Sequence, residues 1–223
     1  MTEIKNAEYN YIKNKLKLLE DAYKQSIDNG VRRTIKDEVL WDLSRKFDNF
    51  GDLFHMDFEM CQMKSLREID ELTKKVLGHY SIEKLPSISY KNAKRIFKLN
   101  ERDLNGFVKR YNEAVEERPL SYYSERIEQK IVFLTQIDGE LIGLVSDLPK
   151  KQHTGESLCY FCRRFRRGDE IVFVTNAIKS NKELYTSIGQ YCCTDYTRCN
   201  TDIEDETMMK SFIGHGSKKK RKK

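Results

Sequence analysis

Four cysteines carry the clearest chemistry in this chain. Cys159 and Cys162 form a C-x2-C pair, and Cys193 and Cys199 follow, after thirty intervening residues, at C-x5-C spacing. Two thiolates separated by two residues sit at the ends of one tight turn and are offered from the same side. A second pair completes a tetrahedron around one zinc ion, at sulfur distances of about 2.3 Å. A ribbon would offer a second C-x2-C turn. The wider C-x5-C suits one thiolate at the end of a hairpin and one at the start of a helix, the outline of a treble-clef finger. Four thiolates fill the coordination shell, whereas catalytic zinc keeps a position open, so a single structural zinc is expected.

Competing uses of these cysteines are weaker. A redox C-x-x-C opens a helix in a βαβ setting, but here Arg163, Arg164, Phe165, Arg166, Arg167, Gly168 and Asp169 lead into a strand. Cys192 is an alternative third ligand. Successive strand side chains point to opposite faces, so only one of Cys192 and Cys193 can face the metal, and spacing alone leaves the choice open. His153 reads as a surface-loop histidine, and Cys61 as a small buried apolar side chain in a helix. No Gly-rich phosphate loop, H-E-x-x-H or nucleophile elbow is present, and His55, His79, His153 and His215 are scattered. The expectation is a binding protein and not an enzyme.

The finger's flanks suggest a docking surface. Arg163, Arg164, Arg166 and Arg167 surround Phe165, and guanidinium forks beside an aromatic suit an acidic or phosphate-bearing partner. The plain alternative is a solvated turn with Phe165 tucked into the core. Asp202, Glu204, Asp205 and Glu206 form an acidic counter-patch, and Met208, Met209, Phe212 and Ile213 fit a last helix packed on the finger.

Forty-one basic against thirty-five acidic residues give a net charge of +6. The terminal run Lys218 to Lys223 accounts for that whole excess, so the body is neutral. This argues against a globally basic nucleic-acid-binding surface. Residues 215–223 read as a disordered basic tail. Twelve Tyr and eleven Phe imply real cores. No apolar run approaches the ~20 residues that span a bilayer, and the first residues lack a secretory apolar segment. A cytoplasmic protein without membrane contact is expected.

The elements that position the cysteines follow from periodicity. Ile12, Leu16, Leu19 and Tyr23 share one helical face, which Asp28-Asn29-Gly30 interrupts. A second helix is expected from near Thr34 to Phe50-Gly51-Asp52, with Val39, Leu40, Leu43 and Phe47 inward. A third is expected from about Asp57 to His79 on Leu66, Ile69, Leu72, Val76 and Leu77. Together they make an antiparallel bundle over 1–82. Leu85-Pro86 marks a boundary. An α+β domain over 83–214 then holds helices at 89–99 and 103–117, a hairpin at 130–146 turning on Asp138-Gly139, a strand at 170–177, and the finger from about 157 to 214. The fold class is α+β, a helical bundle followed by an α/β domain ending in a four-cysteine treble clef.

At these residues the sequence resembles the fusidic acid resistance proteins of the FusB type, which bind elongation factor G. The shared pattern is Cys159 and Cys162, then Tyr185, Gly189, Tyr191 and Cys193, then Cys199-Asn200, and finally Phe212-Ile213. Looser similarity at Tyr11-Ile12, Tyr23-Lys24 and 130–145 extends it over nearly the whole chain. The resemblance selects Cys193 over Cys192. It implies that the finger binds elongation factor G and promotes its release from the ribosome, where fusidic acid traps it, with no chemistry on the drug or on any small-molecule substrate. Tyr191 and Phe212 match aromatic positions tied to that contact. Leu158 stands where the family carries an aromatic, and Ser187-Ile188 where it carries a lysine-rich pair. The alternative function is a zinc-finger RNA- or ribosome-binding protein.

Overall fold

A computed structural model describes residues 2–47, 65–149, 155–180 and 185–217. The chain divides into two compact units, Met1–Ile4 with Glu8–Ile82 and Lys5–Ala7 with Glu83–Lys223.

In the first unit, α1 (Asn6–Gln25) and α2 (Asn29–Lys46) are separated by a three-residue break. The second helix begins five residues earlier than its apolar stripe suggested. Asp28 is its cap: extended at φ −75°, it accepts from Gly30 N at 2.6 Å and Val31 N at 3.3 Å. The Asp-Asn-Gly sequence that ends one helix therefore starts the next. Helix α3 (Leu66–His79) begins at a capping box, in which Ser65 Oγ accepts from Glu68 N and a Glu68 carboxylate oxygen accepts from Ser65 N. Ser65 is extended (φ −136°, ψ 156°), so no helix runs through it from Asp57. Residues 57–64, with Cys61, lie outside the described residues, as do Phe50-Gly51-Asp52, His55, His153 and the terminal basic run. Ile12, Leu16, Leu19, Val39, Leu43, Ile69 and Val76 are fully buried in one cluster. A short parallel pair, β1 (Thr2–Ile4) with β2 (Tyr80–Ile82), was not foreseen.

The second unit is built on a five-stranded sheet. Its strands are β3 (Tyr122–Ile127), β4 (Lys130–Ile137), β5 (Glu140–Asp147), β8 (Ile171–Ser180) and β9 (Tyr185–Cys193), neighbours in that order and antiparallel throughout. Asp138 (φ 51°) and Gly139 (φ 79°) make the expected tight turn between β4 and β5. Strand β3 was missed because YYSERI lacks a clean apolar alternation. Helices α4 (Tyr90–Ile96), capped by Ser89, and α5 (Glu101–Glu117), capped by Asn100, are shorter and earlier, respectively, than their stripes implied.

Period two in β4 divides the core. Val132 and Leu134 join Phe97, Phe107, Tyr111 and Tyr123 in one cluster, while Ile131 and Phe133 join Tyr122, Phe161 and Phe212 in another. Gly143 on β5 is where α4 comes closest. A Cβ there would lie 2.3 Å from the Phe97 ring and 2.4 Å from Ile96 Cγ2. Gly143→Ala is expected to destabilise the unit by about 1–3 kcal/mol through overpacking, read as a lower urea midpoint at unchanged slope.

Helix α7 (Thr207–Ser217) passes residue 215, where a disordered tail was expected to begin. Ile213 is fully buried, and the His215 ring donates to Ser211 O at 2.6 Å in the last turn.

Candidate metal centre

The first two cysteines sit on a knuckle between β6 (Glu156–Leu158) and β7 (Phe165–Arg167), which pair antiparallel with Leu158 opposite Phe165. The chain reverses through Cys159 N donating to Arg164 O at 2.9 Å and Arg163 N donating to Cys159 O at 3.0 Å, with Arg163 in the left-handed region at φ 57°. Tyr160 N donates to Tyr191 O at 2.7 Å and ties the knuckle to β9. Cys193 closes β9 opposite Ile171, and Cys199 lies in α6 (Tyr196–Asp202). Asp195 caps that helix by accepting from Thr197 N at 2.8 Å and Arg198 N at 3.3 Å. Knuckle, hairpin end and helix start are the positions that the C-x2-C and C-x5-C spacings called for.

The four sulfurs converge. Cys159 Sγ is 3.9 Å from Cys199 Sγ, Cys162 Sγ is 3.7 Å from Cys193 Sγ, and all four ligand atoms lie within 4.8 Å of one another. A tetrahedron with zinc–sulfur bonds of about 2.3 Å has edges of about 3.8 Å, so the cage fits zinc. All four side chains are buried and none is in a disulfide. Hydrogen bonds from Cys162, Cys193 and Cys199 hold the Cys159 thiol well below its usual range, and Cys159 in turn holds those of Cys193 and Cys199 above theirs. One thiolate is welcomed and further ones repel it. A divalent cation removes that conflict, and the finger holds one structural zinc.

Cys192 falls on the other face of β9, outside the sulfur cluster. Burial, and then the charge of Cys159 and Cys162, push its thiol up, so it stays neutral and packs as a small apolar group.

The arginines divide. Arg166 is 8% exposed and its guanidinium pairs with Asp202. Arg164 meets Glu204 and Arg167 meets Glu156, each at 3.2 Å, while Arg163 is exposed. The acidic counter-patch thus answers the arginines within the finger itself. Arg166, expected on the docking surface, is instead buried and lines a cleft with Cys193. Phe165 is 66% exposed, so the reading that tucks it into the core is overturned.

The apolar candidates also separate. Phe212 is 6% exposed, its ring 5.8 Å from Phe161, 6.2 Å from Phe133 and 6.3 Å from Tyr160. It lines a cleft of about 130 Å³ together with Tyr160, Asn176, Ile188 and Gln190. Tyr191 pairs with Phe173 across the hairpin, ring centroids 5.0 Å apart, and Ile188 pairs with Asn176. Three residues apart on a regular strand, Tyr191 and Ile188 face opposite sides of β9, the edge strand of the sheet. Leu158 is half-buried in β6.

Reading the sequence did not reveal Asn200, although it sits in the Cys199-Asn200 signature. Its Oδ1 accepts from Ser121 N at 2.6 Å and Tyr122 N at 3.2 Å, and its Nδ2 donates to Tyr122 O and Tyr196 O, both at 2.8 Å. One buried amide therefore fixes the metal-bearing helix α6 to strand β3.

These features define a zinc-stabilised treble clef appended to an antiparallel sheet. Residues 114–222 match the family described as the FBP C-terminal treble-clef zinc-finger. Among solved structures, the fusidic acid resistance protein FusC shares the fold, with a TM-score of 0.67 at 19% sequence identity over 96% of this chain and 97% of that one. The finger match and the shared fold agree with the architecture expected from the cysteine, tyrosine and glycine pattern. No curated protein gives a significant match. Among the described residues no helix is long and apolar enough to cross a membrane.

Proposed function

We propose that this protein binds elongation factor G through its zinc-finger unit and promotes release of the factor from the ribosome, protecting translation against fusidic acid. The observation that carries this reading is the treble clef itself, which matches the FBP finger family and lies in a chain that shares its fold with FusC along almost its full length. The residues proposed to meet the factor lie around the edge strand β9. Tyr191 is on one side and Ile188 on the other, with Leu158, Arg163, Arg164 and Arg167 on the adjoining knuckle and Phe212 supporting the Ile188 cleft from beneath. A partner gripping this edge would contact both faces. The pairs Arg164–Glu204 and Arg167–Glu156 are solvent-exposed, so either arginine can exchange its partner at small cost.

No bond need be made or broken. A ligand that prefers the factor's free conformation shifts the factor off the ribosome by its differential affinity for the two states. This is a binding activity in the cytoplasm, with no small-molecule substrate.

Purified elongation factor G should be captured by the wild-type protein. Tyr191→Ala and Ile188→Ala should each weaken capture about 10-fold or more if they are hot-spot contacts. Phe212 is a poor probe, because its truncation would disturb the core. Wild-type capture by both variants would remove the proposed surface. Retention of naked RNA with a steep salt dependence, and no capture of the factor, would favour the nucleic-acid reading instead.

A further inference from the structure

Among the described residues, four buried side-chain nitrogen or oxygen atoms lack a hydrogen-bond partner, and two of them, Tyr122 Oη and Arg166 Nε, belong to residues packed beside the metal ligands. Burying a polar hydrogen without an acceptor is costly, so two such groups beside one centre call for an explanation. The neighbours supply it. Tyr122 is fully buried in the same cluster as all four metal ligands, and its ring meets Phe161 of the knuckle edge-on at 5.1 Å. Asn200 pins its backbone, and complete burial confines the phenol to the core. The buried Arg166 side chain lines one cleft with Cys193, and its guanidinium is held there by Asp202, at the end of the helix that carries Cys199, and by Phe165 O at 3.3 Å.

We propose that Tyr122 and Arg166 are outer-shell donors of the zinc centre, the hydroxyl donating to Cys199 Sγ and the guanidinium to Cys193 Sγ, and that together they slow loss of the metal. Four thiolates around one divalent ion leave a net negative charge spread over the sulfurs. A donated N–H or O–H draws density from a sulfur, making it less prone to protonation, dissociation and attack by electrophiles. Outer-shell partners of this kind orient ligands and set metal affinity. Cys193 needs such protection, because it lines a cleft of about 180 Å³ together with Arg166, Glu170, Asp195 and Arg198. Arg166 thus forms part of the wall by which a chelator or oxidant would reach the sulfur. Asp202 acts as a positioning residue, holding the guanidinium toward the ligand.

The test measures zinc transfer from the zinc-loaded full-length protein to excess 4-(2-pyridylazo)resorcinol. Tyr122→Phe and Arg166→Met should each release zinc about 10-fold faster than wild type, and Arg166→Lys should recover part of the loss. Cobalt(II) in place of zinc gives a second readout, a shifted sulfur-to-metal charge-transfer band in both variants. Tyr122→Phe separates this role from a merely structural one. Removing a hydroxyl that bonds to nothing leaves the release rate unchanged, whereas removing one that serves Cys199 raises it. An unchanged rate and cobalt spectrum for Tyr122→Phe overturn the assignment of the hydroxyl, and the same result for Arg166→Met overturns that of the guanidinium. If Arg166→Met does not fold, Asp202→Asn, which loosens the guanidinium without removing it, takes its place, and a wild-type rate there counts against the proposal.

Discussion

Cys199→Ser, or removal of zinc by a chelator, is expected to unfold the finger outright and not merely to soften it. Structural zinc contributes about 10–16 kcal/mol to the folding of small finger modules, as much as or more than the roughly 5–15 kcal/mol that separates a whole domain from its unfolded state. The four thiols lie in the same buried cluster as Tyr122, Phe133, Phe161 and Ile213, so the metal is the centre of a core and not an attachment to one. Without it, four buried sulfur groups and the knuckle backbone would have to be rehydrated. Thermal unfolding followed by circular dichroism should show the sheet signal lost or its midpoint far lowered. Fluorescence of the sole tryptophan, Trp41, should change little, because it is 68% exposed on α2 of the other unit. The pH dependence has one sign: metal binding displaces protons from the thiols, so acid competes with zinc and stability falls as pH falls. Cys192→Ser is the control, because Cys192 lies outside the sulfur cage, and it should retain one zinc per chain. A Cys199→Ser protein that melts like wild type, or still holds a full equivalent of zinc, would defeat this account.

The second large effect belongs to Asn200. Replacing it with alanine removes four hydrogen bonds at once and leaves the N–H groups of Ser121 and Tyr122 without an acceptor in the interior. Each buried group left unsatisfied costs about 1–3 kcal/mol, so Asn200→Ala should destabilise the unit by about 2–5 kcal/mol. Asn200→Asp keeps an acceptor but loses both donated bonds and buries a charge, so it should be no better. Chemical denaturation of the zinc-loaded proteins decides the matter. A loss below about 1 kcal/mol would mean that water replaces the amide and that the clamp has no energetic weight. Because Asn200 supplies none of the four sulfur ligands, its variants should keep their zinc stoichiometry, which separates this effect from that of Cys199→Ser.

Much of this protein could be read from local patterns. Cys159 and Cys162 three residues apart, Asp138-Gly139 between two apolar runs, and Ile12, Leu16 and Leu19 at helical steps each encode a geometry within a few residues of themselves, and each appears as read. Helix boundaries were less legible. Asp28 and Ser65 fix the starts of α2 and α3 through side-chain hydrogen bonds to the backbone, and an apolar stripe does not register a cap. Strand β3 had no signature because its partners, rather than its own alternation, bury it.

The sequence by itself determined that four thiolates would be delivered as a pair on a knuckle, one at a hairpin end and one on a helix, since bond geometry restricts what such short spacings can do. Only the tertiary structure decided the roles of the surrounding side chains. It buried Arg166 against Asp202 while leaving Phe165 in solvent, buried Phe212, set Tyr191 and Ile188 on opposite sides of an edge strand, and brought Asn200 to Ser121 and Tyr122. Those contacts join residues up to 79 positions apart. They depend on how complete elements pack, which the order of residues within any one element does not specify.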